Sequence, residues 1–477
     1  MLFNSSTFLI FFTIFFLIYW FLGNRNIKFQ NLILLLGSYV FYSFTDWRFL
    51  SFLIGVSALN YLLGVYIEKA TKYKRFLMYI GLLQGIGGLA FFKYFNFFIT
   101  SFNDVFHSLN VNLNLQTLNI LIPLGISFFT FRTISYVLDV YNENIKATKD
   151  WVVFFNYVSF FPSILSGPID KAILLVPQLE KKRVFNYNQA TNGMRQILWG
   201  LFKKVVIADN CSIFVNEIFN NYTDYSGATL LLGAFFFTFQ LYADFSGYSD
   251  MAIGFSRLLG FNITKNFDFP FFSQNIAEFW RKWHISLTSW LTEYVFTPLS
   301  FNLRNLGKLG LIIAIIINFA ICGIWHGANW TYVLFGLLHG SFFIPLILNG
   351  TLNRKKKIAE GKRYPSIREF INMLSLFTLV TLTFILFRSE NIVHAILYIS
   401  EIFSYSLFLI PEIPSIKVIF LVIIFIFLEW LGREGEYAIE NVFISCEMSV
   451  RWMIYTIFVV LILYYAGAEQ PFLYFQF

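Results

Sequence analysis

Two histidines draw attention because of their surroundings. His284 sits in "FWRKWHISLTSW" (279–290) and His326 in "ICGIWHGANW" (321–330), within a chain of which only 13% is charged. An imidazole takes and gives a proton near neutral pH, which suits it to general acid–base work. His326 ends the run "LGLIIAIIINFAICGIWH" (309–326), which holds almost no polar side chain before it. An ionisable group at membrane depth is costly and is a functional candidate by default. Gly327 beside it lets a substrate or backbone come close to the ring. The competing reading is a histidine satisfied by an interhelical hydrogen bond, typically worth about 0.6 kcal/mol. His339, in the next apolar run, reads as a packing histidine, His394 ranks below His326, and His107 falls in an outer loop.

Around His284, a helical reading of 278–292 places Phe279, Trp283, Leu287 and Trp290 or Leu291 on one face. Arg281, His284, Thr288 and Thr292 then share another, and Glu278 can pair with Arg281 or Lys282 one turn on. The polar stripe is either an interfacial anchor with snorkelling cations or the lining of a solvated funnel. Anchoring needs only Lys and Arg, so the imidazole favours the funnel. A third cluster, "FQLYADFSGYSDMAIG" (239–254), puts Gln240, Tyr242, Asp244, Ser246, Tyr248 and Asp250 at the end of an apolar run. Asp244 would orient an imidazolium or cap a helix end.

The elements that must hold these residues are membrane helices. With 57% hydrophobic residues, 63 phenylalanines and a mean hydropathy of +0.64, a 477-residue chain has too little polar surface for a water-soluble globule. Stretches of spanning length fall near 6–23, 30–46, 49–66, 76–93, 117–140, 193–217, 227–248, 309–328, 330–349, 367–388, 391–410, 416–432 and 451–466. That predicts about 11 to 13 spanning helices. The first stretch lacks a basic leader and a cleavage site, and reads as a retained helix. The net charge of +8 comes from Lys and Arg in short loops: Arg25 and Lys28, "EKATKYKR" (68–75), and "RKKK" (354–357) with Lys362 and Arg363. The long loop at 94–116, by contrast, has no Lys or Arg. This asymmetry puts the amino terminus outside and the basic loops in the cytoplasm, and gives no reason to expect nucleic acid. "WVVFFNYVSFFPSILSGPI" (151–169) is apolar but flanked by basic residues on both sides, so it is expected to be re-entrant or in-plane, with "PSILSGPI" buried in protein or lining a wet cavity. Residues 262–305 are expected to behave likewise. Cys211, Cys322 and Cys446 lack metal-ligand spacing, so no metal site is expected. Without internal repeats or linkers, residues 1–477 read as one membrane domain.

Together "FWRKWHISLTSWL", "GIWHGANWTYVLFGLLHG", "FQLYADFSGYSDMAIG", "LIPLGISFFTFRTISYVLDVY", "SGPI", the opening "MLFNS" and the ending "PFLYFQF" resemble the membrane-bound O-acyltransferase family. The bacterial alginate and peptidoglycan O-acetylation branch is the nearest in appearance, with the teichoic acid D-alanyl transfer proteins as cousins. The resemblance implies an all-α polytopic fold of about 11 transmembrane helices with re-entrant or in-plane helices around a central tunnel. It makes His326 the catalytic residue and His284 the second signature position. Trp280, Trp283, Trp325 and Trp330 would narrow the tunnel, and Arg281, Asn329, Gln240, Tyr242, Asp244 and Ser246 would line it. An acyl thioester, acetyl-CoA first among them, would dock from the cytoplasm, its phosphates drawn by Lys203, Lys204, Arg281 and Lys282; no permanently bound cofactor is implied. His326 would act as base or carry the acetyl group, and His284, Asn329 or Ser246 would stabilise the oxyanion. The implied setting is the bacterial inner membrane. The implied partners are the lipid bilayer, an esterase-like periplasmic acetyltransferase of SGNH type and a cell-wall glycan acceptor, peptidoglycan ahead of alginate. D-alanyl transfer and a transporter or flippase without chemistry are the other readings. The loop polarity sets His326 toward the outer end of its span and His284 toward the inner side, so either a re-entrant segment or a funnel brings them together or His284 does not touch the chemistry. Arg132 stands where related sequences have a neutral polar residue, and would meet an anionic donor or Asp139. The aromatic ending reads as an interfacial belt.

Overall fold

The structure is a computed structural model, which describes residues 1–111, 114–352, 358–360, 362–413, 416–443, 446–467, 470 and 472–473. The basic loop at 354–357 and most of the ending "PFLYFQF" lie outside the described residues. The described residues form helices and the segments that join them, without a strand. Their contacts form two compact units, Met1–Met194 with Ala252–Thr264, and Arg195–Met251 with Lys265–Phe477.

The first unit holds α1 (Ser6–Phe21), α2 (Ile27–Asp46), α3 (Arg48–Lys69), α4 (Lys74–Leu89), α5 (Phe95–Ser108), α6 (Ile126–Tyr141), α7 (Trp151–Ser159), α8 (Ala172–Leu179) and most of α9 (Tyr187–Leu201). A π-helical turn, Ala90–Tyr94, joins α4 to α5, so the expected outer loop carrying His107 is largely helix. Its apolar side chains suit a continued helix better than a loop. The expected span 117–140 begins only at Ile126, because Gly125 takes the left-handed conformation (φ +77) that starts α6. A Cβ there would also stand 2.5 Å from the Ile164 carbonyl oxygen.

Within 151–169, "PSILSGPI" is non-helical and buried in protein, as expected. After α7 the chain runs non-helically through Phe160–Asp170, entirely buried. The exposed carbonyls such a path would leave are met by Arg132, itself fully buried. Its guanidinium donates to the carbonyls of Tyr157 (3.3 Å), Val158 (3.3 Å) and Pro168 (3.4 Å) and to Ser163 Oγ (2.5 Å). A planar five-donor group suits that cluster of acceptors. The cation at 132 thus supports the buried non-helical backbone, a use that neither sequence reading of it supplied.

The second unit contains α10 (Asp209–Asn220), α11 (Gly227–Leu258, shared with the first), α12 (Ile276–Lys282), α13 (Ile285–Leu291), α14 (Thr297–Asn302), α15 (Gly307–His326), α16 (Trp330–Ser341), α17 (Ile344–Leu348), α18 (Ile367–Arg388), α19 (Ile392–Ile402), α20 (Ile416–Gly432) and α21 (Met448–Tyr465). Helices α15 and α16 form a tight antiparallel pair. A Cβ on Gly323 would lie 2.2 Å from the Tyr332 carbonyl oxygen, and one on Gly336 2.2 Å from that of Phe319. Small residues that let backbones touch are the usual device for joining membrane helices. Seven helices among the described residues are long and apolar enough to cross a bilayer: 48–69, 74–108, 227–258, 304–326, 330–348, 367–388 and 448–465. Ser6–Phe21 and Ile392–Ile402 are apolar but shorter. The expected span 193–217 is instead interrupted by a π-helix, Phe202–Ala208, carrying two buried lysines.

Candidate active site

The single helix expected over 278–292 is broken. Helix α12 ends at Lys282 and α13 begins at Ile285, with His284 between them in left-handed geometry (φ 46, ψ 53). That conformation costs a non-glycine residue about 1–3 kcal/mol and persists only where neighbours enforce it. Here the 266–268 loop does so: Asp268 N–H donates to Lys282 O (2.9 Å) and Ile285 N–H to Asn266 O (2.8 Å). The break separates the expected polar stripe. Arg281 is exposed, while His284 is completely buried. Arg281 therefore fits the anchor reading and His284 does not. Lys282 pairs with Glu278 at 2.8 Å.

Asn266 decides which way the His284 ring is used. Its amide oxygen accepts from Ser286 N–H (3.2 Å) and Ser286 Oγ (2.9 Å), which fixes it as the oxygen. His284 Nδ1, 3.1 Å away, is then a donor, and the neutral ring carries its lone pair on Nε2. His284 lies outside the spanning helices. Burial first, and the charge of nearby His326 second, hold its pKa well below the ordinary histidine value. A neutral ring of this tautomer accepts a proton or hydrogen bond at Nε2; it does not donate to an oxyanion, the role weighed for it from sequence.

His326, the last residue of α15, is 5% exposed. Its ring lies 5.1 Å from Trp325 and 4.9 Å from Phe387, and Trp325 lies 5.6 Å from the His284 ring. The two histidines thus flank one indole, which resolves the separation that loop polarity implied. Phe245 edges onto His284 at 4.6 Å. Trp283 packs between Phe279 (5.4 Å) and Phe384 (5.3 Å). Trp280 serves a neighbouring ring instead. Its Nε1 donates to His339 Nδ1 (3.0 Å), and His339 Nε2 donates to Thr383 Oγ1 (2.9 Å). With both nitrogens engaged, His339 is the packing histidine its setting predicted.

Phe387 also lines a polar cavity of about 290 Å³, with Tyr332, Gln240, Asp244, Lys204, Asp209 and Arg388. Gln240 is 8% exposed, and its Oε1 has no hydrogen-bond partner among the described residues. Three other members of the 239–254 cluster, Asp244, Ser246 and Asp250, serve two buried lysines. Lys204 Nζ meets Asp244 (2.7 Å) and Asp209 (2.9 Å); Lys203 Nζ meets Asp250 (2.5 Å) and Ser246 Oγ (2.9 Å). Both lysines are almost wholly buried and paired with carboxylates, and Lys204 lines the polar cavity. The π-helical turn that carries them lies against α11, where a Cβ on Gly200 would stand 2.6 Å from Gly247 O. Tyr242 Oη is 2.6 Å from Glu429 Oε2. Asp244 Oδ2 also accepts from Leu473 N–H (2.8 Å). Asn329 caps α16 through Thr331 N–H (3.0 Å) and donates to Glu390 O (2.8 Å), so its amide is engaged. Trp330 is 53% exposed and does not narrow an interior passage.

The model of the membrane-bound O-acyltransferase family matches residues 126–389, more than half the chain and all of the features just described except the C-terminal contacts. The chain belongs to that family. Among its relatives, a "probable alginate O-acetylase AlgI" of Pseudomonas putida is 33% identical over 503 aligned positions, covering the whole of both chains. A "peptidoglycan O-acetyltransferase" of Helicobacter pylori is 34% identical over 400, covering 78% of this chain and 73% of its own. A "teichoic acid D-alanyltransferase" of Streptococcus thermophilus is 31% identical over 254, covering 50% and 60%.

In this O-acyltransferase, sequence reasoning missed Asn266, Phe387 and Glu429. Glu429 could have been found by the logic that found His326, since it is the lone carboxylate of "IKVIFLVIIFIFLEWLG". Asn266 carries no such mark: an asparagine in a loop declares itself only through the ring it holds.

Proposed function

We propose that this protein moves an acetyl group from a cytoplasmic thioester, acetyl-CoA, to a hydroxyl outside the bacterial inner membrane, for O-acetylation of a cell-envelope polysaccharide. The observation that carries the reading is the burial of His326 at the end of α15, against a ring that also lines a polar cavity. His326 takes the proton of the attacking hydroxyl as its oxygen adds to the thioester carbonyl. The C–S bond then breaks and the sulfur leaves with the proton returned by the imidazolium, so ester and free thiol are the products. Aromatic side chains packed around both histidines keep water from competing for the thioester. Peptidoglycan is the proposed acceptor, reached through an SGNH-type periplasmic acetyltransferase. Acetylation of alginate or another exopolysaccharide is a second reading, favoured by the full-length match to the alginate O-acetylase.

The test uses purified protein in liposomes with labelled acetyl-CoA and a hydroxyl acceptor, following thiol release and acetyl capture. His326→Ala should lower both by at least about 100-fold. Equal rates in the variant and wild type would overturn the enzymatic role of His326. Carrier movement without thiol release would favour a transporter. Acetyl found on His326 itself would replace the base with a covalent carrier.

A further inference from the structure

Helices α2 and α7 of the first unit run side by side in the same direction. Asn156 Nδ2 donates to Asn31 O (2.9 Å) near their starts, and Phe161 N–H donates to Ser38 Oγ (3.3 Å) further on. Their amino-terminal ends therefore lie together, beside a cavity of about 450 Å³ lined by Lys28, Asn31, Lys149, Asp150, Trp151 and Val152. Lys28 and Lys149 are exposed, and neither forms an ion pair among the described residues. Asp150 is engaged: its Oδ1 accepts from Val152 N–H (2.9 Å) and Val153 N–H (3.4 Å), capping α7. Asn31 is 2% exposed. Its Nδ2 donates to Leu179 O (2.9 Å), while its Oδ1 has no hydrogen-bond partner among the described residues. The cavity thus gathers two ammonium groups, the positive ends of two helices, one carboxylate and one buried acceptor that lacks a donor.

We propose that this cavity binds the headgroup of one phosphatidylglycerol molecule of the cytoplasmic leaflet. Lys28 and Lys149 belong to the basic loops that the charge asymmetry assigns to the cytoplasm. Two lysines and one aspartate leave one net positive charge, which a phosphodiester matches and a zwitterionic headgroup does not. The phosphate oxygens accept from the two ammonium groups. A glycerol hydroxyl gives Asn31 Oδ1 the donor it lacks, relieving the cost of a buried unsatisfied acceptor. The surface leading away from the cavity selects a lipid over a soluble phosphate. From Lys28, four-residue spacing along α2 runs through Leu32, Leu36 and Val40, all exposed, an apolar ridge for an acyl chain. Trp151, also exposed, adds at the cavity's edge the amphipathic ring that sits at headgroup level. Lysines that only snorkel need neither a shared cavity nor a buried acceptor. Every residue of the site belongs to the first unit, and the proposal does not rest on the acyl-transfer reading.

Native mass spectrometry of the full chain in detergent, stripped of lipid and titrated with dioleoyl phosphatidylglycerol, dioleoyl phosphatidylethanolamine or coenzyme A, tests it. Wild type should take up one phosphatidylglycerol at least about tenfold more tightly than phosphatidylethanolamine. Lys28→Gln combined with Lys149→Gln should abolish most of that preference. Lys69→Gln combined with Lys72→Gln, which removes two exposed lysines at the end of α3, should leave it intact. Equal affinity of wild type for the two lipids, or an equal loss in both double variants, would overturn the site in favour of general attraction to anionic lipid. Displacement of the bound lipid by coenzyme A would overturn the lipid as occupant and give the cavity to a soluble phosphate.

Discussion

The amide oxygen of Asn266 lies 3.1 Å from Nδ1 of His284 and also holds the backbone nitrogen of Ser286, so one loop residue fixes both the tautomer and the backbone of a buried histidine. Groups that orient a metal-ligating imidazole this way typically cost about 10–100-fold when removed, and an effect of that size is expected here should His284 act in the transfer. Asn266→Ala should lower kcat by that factor with little change in KM for the donor. Asn266→Asp should recover part of the rate and shift the acidic limb of the pH–rate profile upward, because a carboxylate stabilises the imidazolium. A profile unmoved by the aspartate would mean that Asn266 only packs.

The depressed pKa of His284 also predicts acid sensitivity. The folded ring resists a proton that the unfolded ring accepts below about pH 6.5. Above that pH both states are neutral and the effect vanishes. Below it the unfolded state binds the extra proton, and stability falls by up to about 1.4 kcal/mol per pH unit. Thermal unfolding in detergent between pH 7 and pH 5 should therefore be steeper for wild type than for His284→Gln. Parallel curves would contradict the burial of a neutral ring.

Lys204 neutralises two carboxylates, Asp244 and Asp209, whereas Asp244 shares its lysine. Removing one partner of a buried pair typically costs about 3–5 kcal/mol because the other is left uncompensated. Lys204→Met should thus lower the melting temperature more than Asp244→Asn, which leaves Lys204 with Asp209. The opposite order, read by fluorescence-detected unfolding, would rule out the paired geometry.

Gly323 is predicted to control His326 from a distance of one turn. The Cβ of Gly323→Ala would meet the Tyr332 carbonyl oxygen at 2.2 Å, forcing α15 and α16 apart at a cost of about 1–3 kcal/mol. Acetyl transfer should fall even though no reacting group has changed. Wild-type activity with an unaltered melting temperature would show that the pair tolerates the methyl group.

The parts of this molecule legible in its sequence are those governed by cost in lipid. His326 stood out because almost nothing before it was polar, and seven of the apolar runs became long helices. The burial of the non-helical stretch in 151–169 was expected from its two basic flanks. What escaped were features set by tertiary contact. Periodicity continued a helix through His284 because the loop that breaks it, 266–268, is distant from the pattern being counted. Lys203 and Lys204 looked like charges free to attract phosphates because two of their carboxylate partners, Asp250 and Asp244, lie far along the chain in α11. Arg132 looked like a ligand contact because the carbonyls it serves have no sequence signature.

Those two lysines bear on how the chain enters its membrane. Each would oppose partitioning of the 193–217 stretch from the translocon by about 2.5–3.5 kcal/mol if presented alone at mid-bilayer. Asp209 lies in the same stretch and pairs with Lys204, but the other counter-charges, Asp244 and Asp250, are synthesised later. Stable integration of the earlier stretch must wait for the later one, and nascent chains ending before residue 227 should leave it accessible to aqueous labelling reagents that no longer reach it once α11 has emerged.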